Sequence, residues 1–151
     1  MTYKKKKHIE LLKSFLDFRK QGKSIYDLYL EKRNEYLEFS RYQSMVSDCI
    51  FWRRRKEFVL CMENYVNDSI DFEDFEIAFS QLWRKSITED KALEIDLKGL
   101  QNFEFDPQSH KFGSLVTSIF RQFEVLEDEE CTEQELKEYV QTTLPEIRTY
   151  L

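Results

Sequence analysis

The chain has 151 residues, a net charge of −6, three glycines and two prolines, with 41% hydrophobic and 15% aromatic residues. A domain of this length buries roughly 68–70% of its unfolded surface and needs no disulfide or metal to hold it together. The scarcity of turn formers excludes the many short strands of a sandwich or barrel and favours long helices.

Lys5–Lys20 predicts a first helix, because Ile9, Leu12, Phe15, Leu16 and Arg19 recur at the 3.6-residue period and Gly22 supplies a stop. Ser24 followed three residues later by Asp27 starts a second helix as a capping-box pair. Its stripe of Ile25, Leu28, Lys32, Tyr36 and Phe39 extends it to about Ser47, so the two helices form a hairpin. Arg53 to Lys56 would set four cations at a helix start, against the macrodipole. One long helix beginning before Arg53 and carrying Phe58, Val59, Met62, Tyr65 and Val66 avoids that cost. Asn67-Asp68-Ser69 breaks the pattern, and Asp71 caps an amphipathic helix with Phe72, Phe75, Ala78, Phe79 and Leu82, running to about Ile87.

Thr88 is then expected to cap a short helix holding Ala92, Leu93, Ile95 and Leu97 and ending near Gly99. After a loop through Phe105-Asp106-Pro107, Ser109 opens a helix with Phe112, Leu115, Val116, Ile119, Phe120 and Phe123 on one face. Thr132 with Glu135 forms a capping box for the last helix, which Pro145 ends or kinks. The fold class expected is all-α: a bundle of six or seven helices with an N-terminal helical hairpin extension. The division expected is a basic hairpin over 1–50 and an acidic bundle over 51–151.

Charge follows the same division. Residues 1–60 hold 15 Lys and Arg against 8 Asp and Glu, a balance of +7; residues 61–151 hold 8 against 21, a balance of −13. Opposed halves point to surfaces with different partners, or to attraction between the halves. Asp68, Asp71, Glu73, Asp74 and Glu76 crowd one helix start, and Glu127, Asp128, Glu129 and Glu130 crowd another connection. Crowded carboxylates repel one another until a cationic partner relieves them, so these nine residues are the candidate partner-binding face. Lys4, Lys5, Lys6 and Lys7, with Arg53, Arg54, Arg55 and Lys56, form the candidate basic contact patch, near Tyr3 and Trp52 for stacking.

Catalysis finds little footing. Two histidines far apart in sequence, no nucleophile elbow, no glycine-rich phosphate loop and no metalloprotease motif leave the chain without a recognisable active centre. Cys49, Cys61 and Cys131 form no CxxC pair, so the thiols are expected reduced and mostly buried, with no metal and no cofactor. Residues 63–74 have the outline of a calcium loop, but Tyr65 and Asp68 fall where an oxygen ligand and a glycine are needed. The apolar runs are too short to span a bilayer, and Glu10, Lys13 and Asp17 interrupt any secretory signal. An intracellular protein is expected; plentiful Phe, Lys, Tyr and Ile, with Ala confined to positions 78 and 92, fit an organellar genome or an AT-rich bacterium.

Residues 51–85, FWRRRKEFVLCMENYVNDSIDFEDFEIAFSQLWRK, resemble the colicin D immunity-like family of bacterial self-protective proteins, which includes plastid-encoded relatives. The resemblance extends over about residues 53–151, with Phe58, Met62, Ile70, Phe75, Phe79 and Leu82 as its anchors. It implies a helical bundle that binds a cognate ribonuclease and masks its cationic active site with acidic residues. The expected function is therefore a non-catalytic protein-binding module of that kind. Two alternatives stand beside it: an accessory subunit of a multisubunit complex docked through its N-terminal helices, and an RNA-associated factor led by the basic segments.

Overall fold

The computed structural model describes residues 2–151 apart from Asp96 and Asn102, and gives only the backbone of Asp90, residues 93–95 and Gln101. Eight helices and no strand occur among the described residues: α1 Lys5–Lys20, α2 Ile25–Glu31, α3 Arg33–Arg53, α4 Arg55–Val66, α5 Phe72–Ile95, α6 Leu97–Gln101, α7 Ser109–Glu127 and α8 Glu133–Arg148. The fold is an all-α bundle.

The buried side chains form two clusters that meet within α3. The first gathers Leu12, Phe15, Leu28, Phe39, Tyr42, Val46 and Ile50 from α1 to α3, with Leu100 and Phe103 inserted from the far part of the chain. The second gathers residues of α4, α5, α7 and α8 and begins at Phe51. It is built largely from aromatic rings. Tyr65 stacks on Phe75 at 4.3 Å, Trp83 on Phe120 at 4.4 Å, and Phe79 meets Phe58 and Phe123 edge-on. Such ring pairs add about 0.5–1.5 kcal/mol each beyond their buried area. A continuous α3 with residues on both sides of position 50 ties the two clusters together.

Four features of the helix pattern differ from the sequence expectation. The second helix is two helices, broken at Lys32, whose φ of −135° and ψ of 56° lie outside the helical region. Neither glycine nor proline marks that point. The break lets Leu28 enter the first cluster but leaves Ile25, Tyr26 and Leu30 exposed. The expected long helix through Arg53–Lys56 is likewise divided, at Arg54, where the backbone amide bonds to the Phe51 carbonyl. The electrostatic cost of cations at the new helix start is offset by acid partners. Arg54 lies 2.7 Å from Glu89 and donates to Ser86 Oγ, and Glu57 sits in the first turn.

Thr88 caps nothing. It lies inside α5, its hydroxyl donating to the Arg84 carbonyl, and α5 runs on to Ile95 as one helix; the side chains of Leu93 and Ile95 lie outside the described residues. Pro145 does not end α8 either. Leu144 and Ile147, buried on either side of it, hold the helix through Arg148 although the proline removes one backbone donor.

Candidate functional site

The α4–α5 and α7–α8 connections are built on one plan. Each has five residues, Asn67–Asp71 and Asp128–Thr132. In the first, the Ser69 amide bonds back to the Asn64 carbonyl and the Asp68 amide to Tyr65; in the second, Glu130 bonds to Val125 and Glu129 to Leu126. Both are Schellman closures, which need a left-handed residue just past the helix. That residue is Asp68 (φ 59°) in one and Glu129 (φ 58°) in the other. Each connection then ends in an N-cap side chain, Asp71 accepting from the Asp74 amide and Thr132 from the Glu135 amide. An apolar residue precedes each cap, Ile70 or Cys131, and a buried one follows at the fourth helical position, Phe75 or Leu136.

The two connections share one end of the bundle. Lys137, in the first turns of α8, pairs with Asp68. Tyr65, Asp68, Asp71, Glu133 and Lys137 surround one shallow depression of about 360 Å³. Phe72, at the start of α5, touches Phe123, near the end of α7. The Tyr65 hydroxyl at the base of the depression has its pKa raised, first by burial and then by the negative charges of Glu133 and Asp68. Carboxylates from the α4–α5 connection and from the first residue of α8 thus act on one buried group.

All nine acidic residues expected on the partner-binding face are exposed: Asp68, Asp71, Glu73, Asp74 and Glu76 around the start of α5, and Glu127, Asp128, Glu129 and Glu130 around the end of α7. They are not equivalent. Asp71 serves as a helix cap and Asp68 has a lysine partner, whereas Glu73, Glu76, Asp128 and Glu130 make no side-chain hydrogen bond or ion pair among the described residues. Glu133 and Lys137 belong to the same surface and are additions to it. The capping box at Thr132 placed Glu133 in a first turn, but only the packing of α8 against α4 brings it beside Asp68.

The basic segments are distributed differently. Arg53 stacks on Phe103 at 4.5 Å and Arg55 on Trp52 at 4.3 Å, and Arg55 also donates to the Tyr150 and Trp52 carbonyls. With Arg54 on Glu89 and Ser86, the three arginines serve the fold, and Lys56 is exposed beside them. Lys4 to Lys7 lie at the start of α1, on an element that packs against α3 and α6. The two segments belong to different elements, Lys4–Lys7 to the start of α1 and Arg53–Lys56 to the α3–α4 junction. Glu63, first residue of the calcium-loop outline, pairs with Arg148 at 3.0 Å, and Tyr65 is buried.

No helix among the described residues is long and apolar enough to cross a membrane. Comparison of the chain with family models, curated proteins and solved structures gave no significant match in any of the three.

Proposed function

We propose that the chain is a non-catalytic protein-binding module that docks its acidic end onto a basic protein surface, as an immunity-like inhibitor masks a nuclease. The observation that carries this reading is the pair of acidic residues, Asp68 and Glu129, held in the left-handed conformation at equivalent points of two connections. A side chain other than glycine costs about 1–2 kcal/mol there. Two such costs, accepted at one end of the bundle for two carboxylates, fit a surface retained for its charge rather than for stability. A plastid or bacterial-cytoplasmic setting goes with this proposal through the family resemblance and the composition.

The test is recovery of partners from native cells with tagged protein at moderate salt, comparing the native chain with Glu73→Lys, Glu76→Lys, Asp128→Lys and Glu130→Lys combined. These four positions bear no side-chain hydrogen bond among the described residues, so helicity should be retained. The expected result is one basic, nuclease-like protein bound by the native chain and lost in the variant. Equal retention by both would refute the acidic-end reading.

A second reading, an accessory subunit docked by its N-terminal helices, is favoured by the exposure of Ile25 (51%), Tyr26 (64%) and Leu30 (61%) on α2. Recovery of a multisubunit set that survives the charge reversal would support it.

A further inference from the structure

At the opposite end of α7 from the acidic connections, a groove of about 590 Å³ opens between α3, the segment after α6 and the start of α7. Leu37, Met45, Phe105 and Pro107 make its apolar walls. Its volume falls in the range of small-molecule sites, which combine apolar walls with a few placed polar groups. Ser40, Arg41 and Ser44 supply polar groups from neighbouring turns of one helix face. None of the three makes a side-chain hydrogen bond or ion pair among the described residues, and Glu38, one turn from Arg41, instead accepts from the Tyr42 hydroxyl.

The floor of the groove is differently arranged. Asp48, with 16% of its side chain exposed, accepts a hydrogen bond from His110 Nδ1 at 3.0 Å. Its other oxygen lies against Gly113, where a Cβ would come within 2.2 Å of Oδ1. One oxygen is thus hydrogen-bonded to His110 and the other is closed off by Gly113, and burial raises the pKa of the carboxyl. The Arg41 guanidinium has no carboxylate partner among the described residues, and its charge is positive.

We propose that this groove binds a small amphipathic anion, a monocarboxylate with an aliphatic or aromatic body. The head group pairs with Arg41 and accepts hydrogen bonds from Ser40 and Ser44, and the body lies along Met45, Leu37 and Phe105. Arginine suits this role because its planar fork matches a carboxylate through two parallel hydrogen bonds.

The test uses decanoate, decan-1-ol and decylammonium with the full chain in calorimetric titration, below their aggregation concentrations. Backbone amide shifts, followed alongside, should move at His110 and Gly113. Decanoate should bind most tightly and decylammonium least, and Arg41→Glu should weaken decanoate by about tenfold or more. Ser44→Trp, at an exposed position, should block the groove without loss of helicity. Decan-1-ol binding as tightly as decanoate, preference for decylammonium, undiminished affinity in Arg41→Glu, or no binding of decanoate would each overturn the proposal.

Discussion

Acidification should destabilise this protein through one buried histidine. His8 has no exposed surface. Its Nδ1 accepts from the Tyr3 hydroxyl at 2.7 Å and its Nε2–H donates to Gln43 Oε1 at 3.1 Å, an arrangement that fits a neutral imidazole. The rings of Tyr3, Phe39 and Tyr42 stand 5.5–5.8 Å away, so a proton gained on Nδ1 would displace a hydrogen bond and place a charge among aromatic faces. Burial accordingly lowers the His8 pKa from 6.5 to about 4, with the hydrogen bond to Gln43 a smaller effect in the other direction.

The sign follows from proton binding. Between about pH 6.5 and 4 the unfolded chain carries the proton on His8 and the folded chain does not, so stability rises with pH across that window. Above 6.5 the contribution is constant. As pH falls through the window, about 3 kcal/mol is lost, taking the shift at 1.36 kcal/mol per pKa unit. That is a large part of a typical domain's stability. Urea unfolding at 25 °C, followed from pH 7.5 to 4, measures the loss. His8→Gln keeps hydrogen-bonding capacity without a titrating ring and should abolish this component, although it lowers stability at neutral pH. Titrating carboxylates contribute to both proteins and cancel in the difference. An identical pH slope for the two, or an NMR titration midpoint for His8 near 6.5, would refute the reasoning.

Two further outcomes are expected. Gly113→Ala should destabilise by about 1–3 kcal/mol despite alanine's better helix propensity, because the added Cβ meets the Asp48 side chain at 2.2 Å and its Cα at 3.2 Å; a raised urea midpoint would show that α3 and α7 can part without cost. Glu129→Gly should stabilise by about 0.5–1 kcal/mol by relieving the left-handed backbone, and should weaken partner capture in the same preparation; a lowered melting temperature would show that the Glu129 side chain makes a stabilising contact.

How legible the fold was depended on whether an element advertised its ends. α1, the start of α5 and the start of α8 combine a clear apolar period with a cap or stop residue and lie where the sequence places them, as α7 does on its apolar period without a side-chain cap. The breaks at Lys32 and Arg54 have no such marker. Each is a single residue turned out of the helical region, and the contacts around it reach far along the chain. Arg54 is held by Glu89, and Leu28 packs in a cluster with Phe103. Local pattern also misleads at Thr88, where a good capping residue sits inside a helix and bonds to the carbonyl four residues back. His8 reads as part of a basic tail next to Lys4–Lys7, yet is wholly buried, because Tyr3 and Gln43 satisfy both of its nitrogens.

The same distinction applies to the surfaces. Which acids crowd together along the chain was legible; that two crowded segments share one end of the bundle was not, since it rests on α8 packing against α4. Yet the likeness of the two connections is written in the sequence once their geometry is known: NDSIDFEDF over 67–75 and DEECTEQEL over 128–136 carry an acid at the second position, a cap at the fifth, an acid at the eighth and an apolar residue at the ninth. The matching positions are conformational roles rather than identical residues. The second position is the telling one. Closure of either turn asks only for a residue that tolerates a positive φ, which glycine does most cheaply and aspartate tolerates better than most. Glutamate has no such short-range advantage, so Glu129 is the residue on which the proposed acidic-end docking most depends.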